Sequence, residues 1–234
     1  MTLCTLPPTA RDPRRALTHV VSHRVIELAA AGGECDDAVF RCGEVGVVRG
    51  LVEDYKSQGM NIEWLHRTDR KGYKAGALSE GLSQATGELL AIFDADFVPK
   101  PDWLKKTVPL FQNQKLGCLQ TRWGHTNREY NSLTRAQALA IDGHFIIEQT
   151  ARSRNDLFLN FNGTAGLWRR ACIEDAGGWQ WDTLTEDLDL SYRAQLKGWK
   201  FKYLEDVVTP GELPVLMPVI KLQQYRWNKG AAET

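Results

Sequence analysis

The sequence predicts an α/β fold with a mostly parallel central sheet. Short apolar runs alternate with segments whose apolar residues recur at helical spacing, from about residue 45 to the end. The chain has 234 residues, which is enough for one domain with a substantial core. One apolar run, residues 89–93, is followed directly by Asp94 and Asp96. Because open α/β sheets bind ligands at the carboxyl ends of their strands, this run also indicates where a site would lie.

The alternation gives a predicted order of elements. Helices are predicted over residues 45–58, 74–86, 101–112, 132–152, 171–176, 185–197 and 215–229. Strands are predicted over residues 61–66, 88–93, 116–123, 157–161 and 199–204. Gly59, Gly87 and Gly198 each follow a predicted helix, as expected of a residue that commonly ends helices.

Residues 1–44 differ from the rest of the chain and form a separate, atypical N-terminal segment. They are rich in Arg, Ala, Gly and Thr and hold three of the five cysteines. No strand is predicted before residue 60. Residues 20–31 are predicted to form a short helix that ends at Gly32 and Gly33. The second predicted unit is residues 45–234.

The composition excludes several classes of protein. Lys and Arg number 29, equal to Asp and Glu, so no net charge favours nucleic acid. Five cysteines without zinc-site spacing argue against a disulfide framework and fit a reducing, cytosolic-side location. No apolar stretch reaches the length of a membrane span, and the N-terminus lacks the apolar core of a signal peptide.

Asp94 and Asp96 are the first candidate site residues. Residues two apart on a strand point to the same side, so both carboxylates leave the strand together. Paired carboxylate oxygens at this position suit a hard divalent cation that carries a diphosphate. The alternative is a polar strand exit followed by a turn at Pro99 and Pro101.

Glu186 and Asp187 open a predicted helix after Thr185. One interpretation is structural, because Thr is a good N-cap and acids in the first turn complement the helix dipole. The other is catalytic: Asp187 would be a general base that takes a proton from an attacking hydroxyl, with Glu186 beside it at the substrate.

A late helix carries Gln223, Arg226 and Trp227. Arg226 offers a planar fork for a diphosphate, Trp227 a flat face for a sugar, and Gln223 an amide for hydroxyls. The alternative is an amphipathic helix at a surface or membrane interface.

Three further positions suit the approach of a substrate. Lys74, at a helix start, is a phosphate-side candidate. Gly163 and Thr164 follow a predicted strand, where glycine allows the backbone to come close to a sugar; a plain turn is the alternative. The five histidines show no metal-ligand spacing and are interpreted as structural.

Five phrases, in this order, carry a resemblance to a known family: RTDRKGYKAGALSEGL, AIFDADFVP, FNGTAGLWRR, GGWQWDTLTEDLDLSYRAQLKGWKFKYL and KLQQYRWNKG. The chain resembles family 2 glycosyltransferases, specifically the processive branch of cellulose synthase and the cellulose-synthase-like mannan or glucomannan synthases. The similar span runs from about Asp54 to the end.

The resemblance implies a nucleotide-diphospho-sugar transferase (GT-A-like) fold and inverting transfer of a hexose to a growing β-glycan. It implies a UDP- or GDP-hexose donor and Mg²⁺ or Mn²⁺ at Asp94 and Asp96. Asp187 would be the catalytic base, with Gln223, Arg226 and Trp227 at the acceptor and diphosphate. The parent protein would act at the cytoplasmic face of a membrane.

The chain departs from the family in two respects. The family's first strands, which end near Asn-Glu and in Asp-Asp-Ser, are not recognisable; Asp36 and Asp37 lie at about the expected distance before Lys74. The N-terminal strands are therefore expected to be missing or degraded. The family's membrane helices are also absent, so a fragment of a longer membrane protein is expected. Two alternatives stay open: a non-catalytic sugar-nucleotide-binding remnant and a non-processive transferase that makes a glycolipid.

Overall fold

The computed structural model of the chain describes residues 2–3, 25–30, 42–59, 61–69 and 71–234. Within these ranges seven strands form one sheet, in the spatial order β3-β1-β2-β4-β6-β5-β7. The strands are β1 (Thr2–Leu3), β2 (Val25–Ala30), β3 (Glu63–Trp64), β4 (Leu89–Asp94), β5 (Leu116–His125), β6 (Gly166–Arg169) and β7 (Lys200–Gly211).

Helices cover most of the predicted helical segments. They are α1 (Cys42–Ser57), α2 (Tyr73–Gln84), α3 (Trp103–Thr107), α4 (Ser132–Asp142), α5 (Thr150–Arg154), α6 (Arg170–Asp175), α7 (Glu186–Leu196) and α8 (Met217–Glu233). A 3-10 turn, Val108–Gln112, continues α3. A π-helical turn, Gly143–Gln149, joins α4 to α5, so the long helix predicted over residues 132–152 is confirmed with a widened middle. None of the described helices is both long and apolar enough to cross a bilayer.

The α/β class is confirmed, and the sheet is mixed rather than mostly parallel. β2 runs parallel to β4, and β5 runs parallel to β7. β6 lies between β4 and β5 and is antiparallel to both. The chain passes from β5 to β6 through α4, the π-helical turn and α5, and this connection returns it antiparallel to β5.

The strand predicted over residues 157–161 is wrong, although its apolar side chains are buried as expected. Leu159 and Phe161 belong to the core, but their backbone N–H groups bond to side chains of α7 instead of a strand. Leu159 N donates to Gln195 Oε1 at 2.8 Å, and Phe161 N donates to Ser191 Oγ at 3.0 Å. Side-chain oxygens thus satisfy donors that a sheet would otherwise pair.

The N-terminal prediction is also wrong for the part that is described. Residues 25–30 form strand β2 and not a helix, and they pair in parallel with β4 from Val25 opposite Leu89 to Ala30 opposite Asp94. The β-branched pair Val25 and Ile26 fits a strand, and pairing with a buried neighbour outweighs a helical spacing of apolar residues. Asp36 and Asp37 lie outside the described residues.

β4 is the centre of the core because both of its faces are covered. Leu90 and Ile92 pack on one face with Leu78 of α2 and Leu190 of α7. Leu89, Ala91 and Phe93 pack on the other face with Trp103 of α3. β4 is packed on both faces and is therefore a rigid part of the fold. Asp94 is its last residue, so the Asp94 carboxylate is attached to a rigid backbone.

Candidate functional site

Lys74, Asp94, Gly163 and Thr164 meet at the carboxyl end of β4. Lys74 Nζ donates to Asp94 Oδ1 at 2.5 Å and to the Gly163 carbonyl at 3.0 Å. The Asp94 backbone N–H lies 2.8 Å from Thr164 Oγ1, which accepts it. Four residues that the sequence singled out separately therefore share one set of contacts, drawn from α2, β4 and the turn before β6.

Gly163 lies between Lys74 and the start of α7. Its φ is +80°, a conformation that residues with a side chain rarely adopt. A Cβ at this position would lie 3.1 Å from Asp187 Oδ2 and 3.4 Å from Lys74 Nζ. The absence of a side chain thus lets the turn pass closely between the lysine and the α7 carboxylate.

Asp187 is the most strongly perturbed acid of the cluster. Burial, and then the neighbouring Glu186 carboxylate, raise the pKa of Asp187 to about 7, with Lys74 opposing them. Asp187 Oδ1 accepts a hydrogen bond from the Leu188 backbone N–H at 2.9 Å. Burial also raises the pKa of Glu186, again opposed by Lys74. The two acids therefore titrate as an interacting pair at the first turn of α7.

Thr185 stands at the N-cap position of α7, as predicted. Its side chain makes no capping bond to α7. Thr185 Oγ1 instead lies 3.3 Å from Thr234 Oγ1, because the C-terminal end of α8 packs against this turn. The acids Glu186 and Asp187 do stand in the first turn of α7, as predicted.

The cluster has more negative than positive charge. Burial alone would lower the pKa of Lys74, but nearby carboxylates, led by Asp94 and Glu186, raise it. Lys74 therefore stays charged among several acids. Asp96 is exposed beside the cluster, where partial desolvation and then Asp94 raise its pKa. An additional cation would relieve this repulsion.

Asp94 and Asp96 fit a divalent cation as partial ligands. Both offer hard oxygen donors, and one Asp94 oxygen already accepts from Lys74. In the part of the chain that the structure describes, no group of three or more His, Cys, Asp or Glu side chains converges as a metal cage. The donor set thus suits a metal that brings further oxygens with it, as one bound to a diphosphate does.

α8 places Arg226 and Trp227 beside the same cluster. The Trp227 ring lies 6.4 Å from the Trp123 ring, tilted by 59°. Arg226 is exposed and close enough to Glu186 to oppose, after Lys74, the rise that burial causes in the pKa of Glu186. Gln223, one turn earlier, is half-buried.

Gly230 fixes α8 to the turn before α7, and sequence reasoning missed it. A Cβ on Gly230 would lie 2.4 Å from Thr185 Cγ2, so only glycine allows this approach. The Leu184 backbone N–H also donates to Glu233 Oε2 at 3.2 Å. Gly230 directly follows the predicted helix 215–229, where a glycine indicates a helix end; α8 instead continues past it to Glu233.

Gln120 is a second residue that sequence reasoning missed. It is buried at the end of an apolar run on β5, and its amide donates to the Thr164 carbonyl at 3.1 Å. Its Oε1 accepts from the Asn162 backbone N–H at 2.9 Å. Gln120 thus holds both ends of the Gly163 turn. A polar residue among buried apolar ones was the available signal.

The fold and this arrangement define a GT-A-like glycosyltransferase domain. The fold is similar to that of the mannosyltransferase PcManGT from Pyrobaculum calidifontis, solved in complex with GDP-Man and Mn²⁺. The TM-score is 0.60 at 21% identity, over 81% of this chain and 49% of that one.

The chain belongs to the family described as "Glycosyltransferase like family 2", whose profile matches residues 18–230. It is 45% identical over 190 residues to glucomannan 4-beta-mannosyltransferase 1 of Oryza sativa subsp. japonica. It is 46% identical over 182 residues to glucomannan 4-beta-mannosyltransferase 2 of Arabidopsis thaliana. These matches cover 80% and 76% of this chain but 36% and 34% of the relatives, so it spans about a third of their length.

Proposed function

We propose that this chain is the catalytic part of an inverting hexosyltransferase that extends a β-glycan of the mannan or glucomannan type. The observation that carries the proposal is the convergence of Lys74, Asp94 and Asp187 around the Gly163 turn. The Lys74 ammonium on one side of the turn suits binding of the donor diphosphate. The Asp187 carboxylate on the other side suits deprotonation of the acceptor hydroxyl. The names of the relatives support mannose as the transferred sugar.

The donor side consists of Lys74, Asp94 and Asp96. We propose that a nucleoside diphosphate sugar, GDP-mannose in the first instance, binds here with its diphosphate toward Lys74. The relative solved with GDP-Man and Mn²⁺ supports this choice of donor and metal. When bound by Asp94 and Asp96, Mn²⁺ or Mg²⁺ would supply positive charge to the leaving diphosphate. Arg226 would add a second, planar cation on the α8 side.

Asp187 is the proposed general base. Its pKa of about 7 suits a group that must be ionised at neutral pH yet still accept a proton readily. Asp187 Oδ2 would take the proton of the acceptor hydroxyl. The hydroxyl oxygen would then bond to the anomeric carbon while the bond from that carbon to the diphosphate breaks, which inverts the configuration.

The acceptor side is proposed at Trp227 and Gln223. The Trp227 indole is half-buried against Trp123, so it is held at a fixed angle while one part stays open to solvent. A rigid aromatic face suits an extended glycan end, and the Gln223 amide can bond its hydroxyls. We propose the cytoplasmic face of a membrane as the place where this domain acts.

The test is transfer of labelled mannose from GDP-mannose to a β-mannan oligosaccharide in the presence of Mn²⁺, with UDP-glucose as the competing donor. We expect GDP-mannose to be preferred and Asp187→Asn to lower turnover by about 10²–10⁴-fold while GDP binding persists. Turnover of Asp187→Asn within a few fold of the unchanged chain would remove the base role. GDP binding without turnover in either protein would favour the non-catalytic remnant.

A further inference from the structure

A directed chain of hydrogen bonds runs behind the Gly163 turn. It starts at the Asn160 carbonyl, which can only accept, and which receives Gln149 Nε2 at 2.8 Å. The same Nε2 donates to Asn162 Oδ1 at 2.8 Å, so Asn162 Nδ2 must face the other way. That Nδ2 lies 3.0 Å from His144 Nε2. His144 Nε2 therefore accepts, and its proton sits on Nδ1, which donates to Glu148 Oε2 at 2.8 Å.

The chain of bonds is built from the π-helical turn between α4 and α5. His144 and Gln149 both lie in that turn, and together they hold the two ends of the Asn162 amide. Gln149 is fully buried, and His144 is partly exposed. π-helical turns are rare and often occur at functional sites. With its backbone N–H bonded to Gln120, Asn162 is held at three points.

Gly163 follows Asn162 directly, so the position of Asn162 decides where two parts of the site lie. The Gly163 carbonyl is one of the two acceptors that hold the Lys74 ammonium. A Cβ on Gly163 would lie 3.1 Å from Asp187 Oδ2, so the turn and this carboxylate are close neighbours. A shift of Asn162 would therefore move the carbonyl away from Lys74 and move the turn relative to Asp187.

We infer that His144 and Asn162 are positioning residues for the transfer reaction. They set the Gly163 carbonyl and, through it, the Lys74 ammonium on the donor side. This inference rests on the proposed function, and it gives His144 a role beyond the structural one that its isolated place in the sequence indicates. Neither residue needs to touch the donor, because each acts through the turn.

The test compares two substitutions of similar size at one position. His144→Phe removes the acceptor for Asn162 Nδ2, whereas His144→Gln can keep an oxygen where Nε2 stood. The readout is the rate at which acetic anhydride acylates Lys74 in the nucleotide-free protein, measured by mass spectrometry against the exposed Lys71. We expect about tenfold faster labelling of Lys74 in His144→Phe, the equivalent of one lost hydrogen bond. His144→Gln should stay within about twofold of the unchanged chain.

Asn162→Leu is the second variant, and Asn155→Leu is its matched control. The Asn155 amide donates a hydrogen bond to the Ala151 carbonyl on an exposed helix end, so the control removes an asparagine side-chain bond that is not part of the chain behind the Gly163 turn. We expect Asn162→Leu to speed Lys74 labelling as His144→Phe does, and Asn155→Leu to leave it unchanged. Circular dichroism checks folding. If His144→Phe and Asn162→Leu both unfold while His144→Gln folds, the bonds serve folding and the inference is overturned.

GDP binding in Mn²⁺, measured by calorimetry, separates this inference from the proposed function. We expect His144→Phe to weaken GDP binding by about tenfold and His144→Gln to preserve it. Unchanged Lys74 labelling in both disruptive variants overturns the positioning role, whatever GDP does. Faster labelling with no GDP binding even in the unchanged chain supports the positioning of Lys74 and contradicts the proposed function alone.

Discussion

The free energy of unfolding is expected to fall as the pH rises because of the Asp187 carboxyl, and Asp187→Asn should remove this pH-dependent loss. The folded-state pKa of about 7 lies above the unfolded-state value of about 3.9. Below about pH 4 the carboxyl is protonated in both states, so its contribution to stability is fully present. Between about pH 4 and about pH 7 the unfolded chain ionises while the folded site resists. The unchanged chain therefore loses stability across that window and does not regain it at higher pH.

The magnitude follows from the same two pKa values. Their difference corresponds to about 4 kcal/mol for a group that titrates alone. The expected free-energy difference is smaller than this value for two reasons. Asp187 is partly in contact with solvent, and its ionisation is linked to that of Glu186, so the pKa belongs to the pair of acids. We expect Asp187→Asn to be more stable than the unchanged chain by about 1–3 kcal/mol at about pH 8. At about pH 4 the two should agree within about 0.5 kcal/mol.

The assay is urea unfolding across this pH range, with a chelator present and no nucleotide. Asn keeps the oxygen that accepts from the Leu188 backbone N–H, so the substitution changes charge and little else. Asp206→Asn, an exposed carboxylate on β7, is the control and should track the unchanged chain. A stability difference between Asp187→Asn and the unchanged chain that is the same at every pH would mean that Asp187 ionises normally. Asp187 would then not be a base with a pKa near neutrality.

Three further changes are expected to act on the site in distinct ways. Gly163→Ala should destabilise the fold by about 1–2 kcal/mol and abolish transfer, since its Cβ would crowd Asp187. Gly178→Ala is the control, because Gly178 has a φ of +73° and no neighbour within 4 Å; in the same urea assay it measures the backbone strain alone. Lys74→Met should lower the free energy of unfolding by about 2–3 kcal/mol at about pH 8, because it leaves a half-buried carboxylate unpaired; equal stability of the two proteins would contradict that. Trp227→Ala should raise the KM for a mannan acceptor and leave GDP affinity unchanged by calorimetry; a parallel loss of GDP affinity would assign Trp227 to the donor instead.

The sequence predicted where Asp94 and Lys74 lie in the fold because each of them has a local signal. Asp94 ends a continuous apolar run that reads as a buried strand, and β4 is that strand. Lys74 opens a helix with clear apolar spacing, and α2 places it at Asp94. In both cases the local pattern and the final packing agree.

The residues behind the site could not be predicted in the same way. The hydrogen bond between His144 and Asn162 joins a π-helical turn to a loop, and no periodic pattern in either segment predicts it. Val25–Ala30 was wrongly predicted as helical because its apolar spacing also fits a helix. It forms a strand because it pairs with β4, which the local sequence does not show. The close approach of Gly230 to Thr185 likewise depends on how α8 packs, which is a property of the whole fold.

The central claim is that the acids at the end of β4 form a metal-dependent nucleotide site. Calorimetric titration of GDP into the chain, with Mn²⁺ and then with chelator, tests it most directly when Asp94→Asn is measured alongside. Asn keeps an oxygen for Lys74 but removes the charge that a cation needs. We expect GDP binding that requires Mn²⁺ and falls by about 100-fold or more in Asp94→Asn. Equal GDP affinity with Mn²⁺ and with chelator, or full affinity in Asp94→Asn, would contradict it.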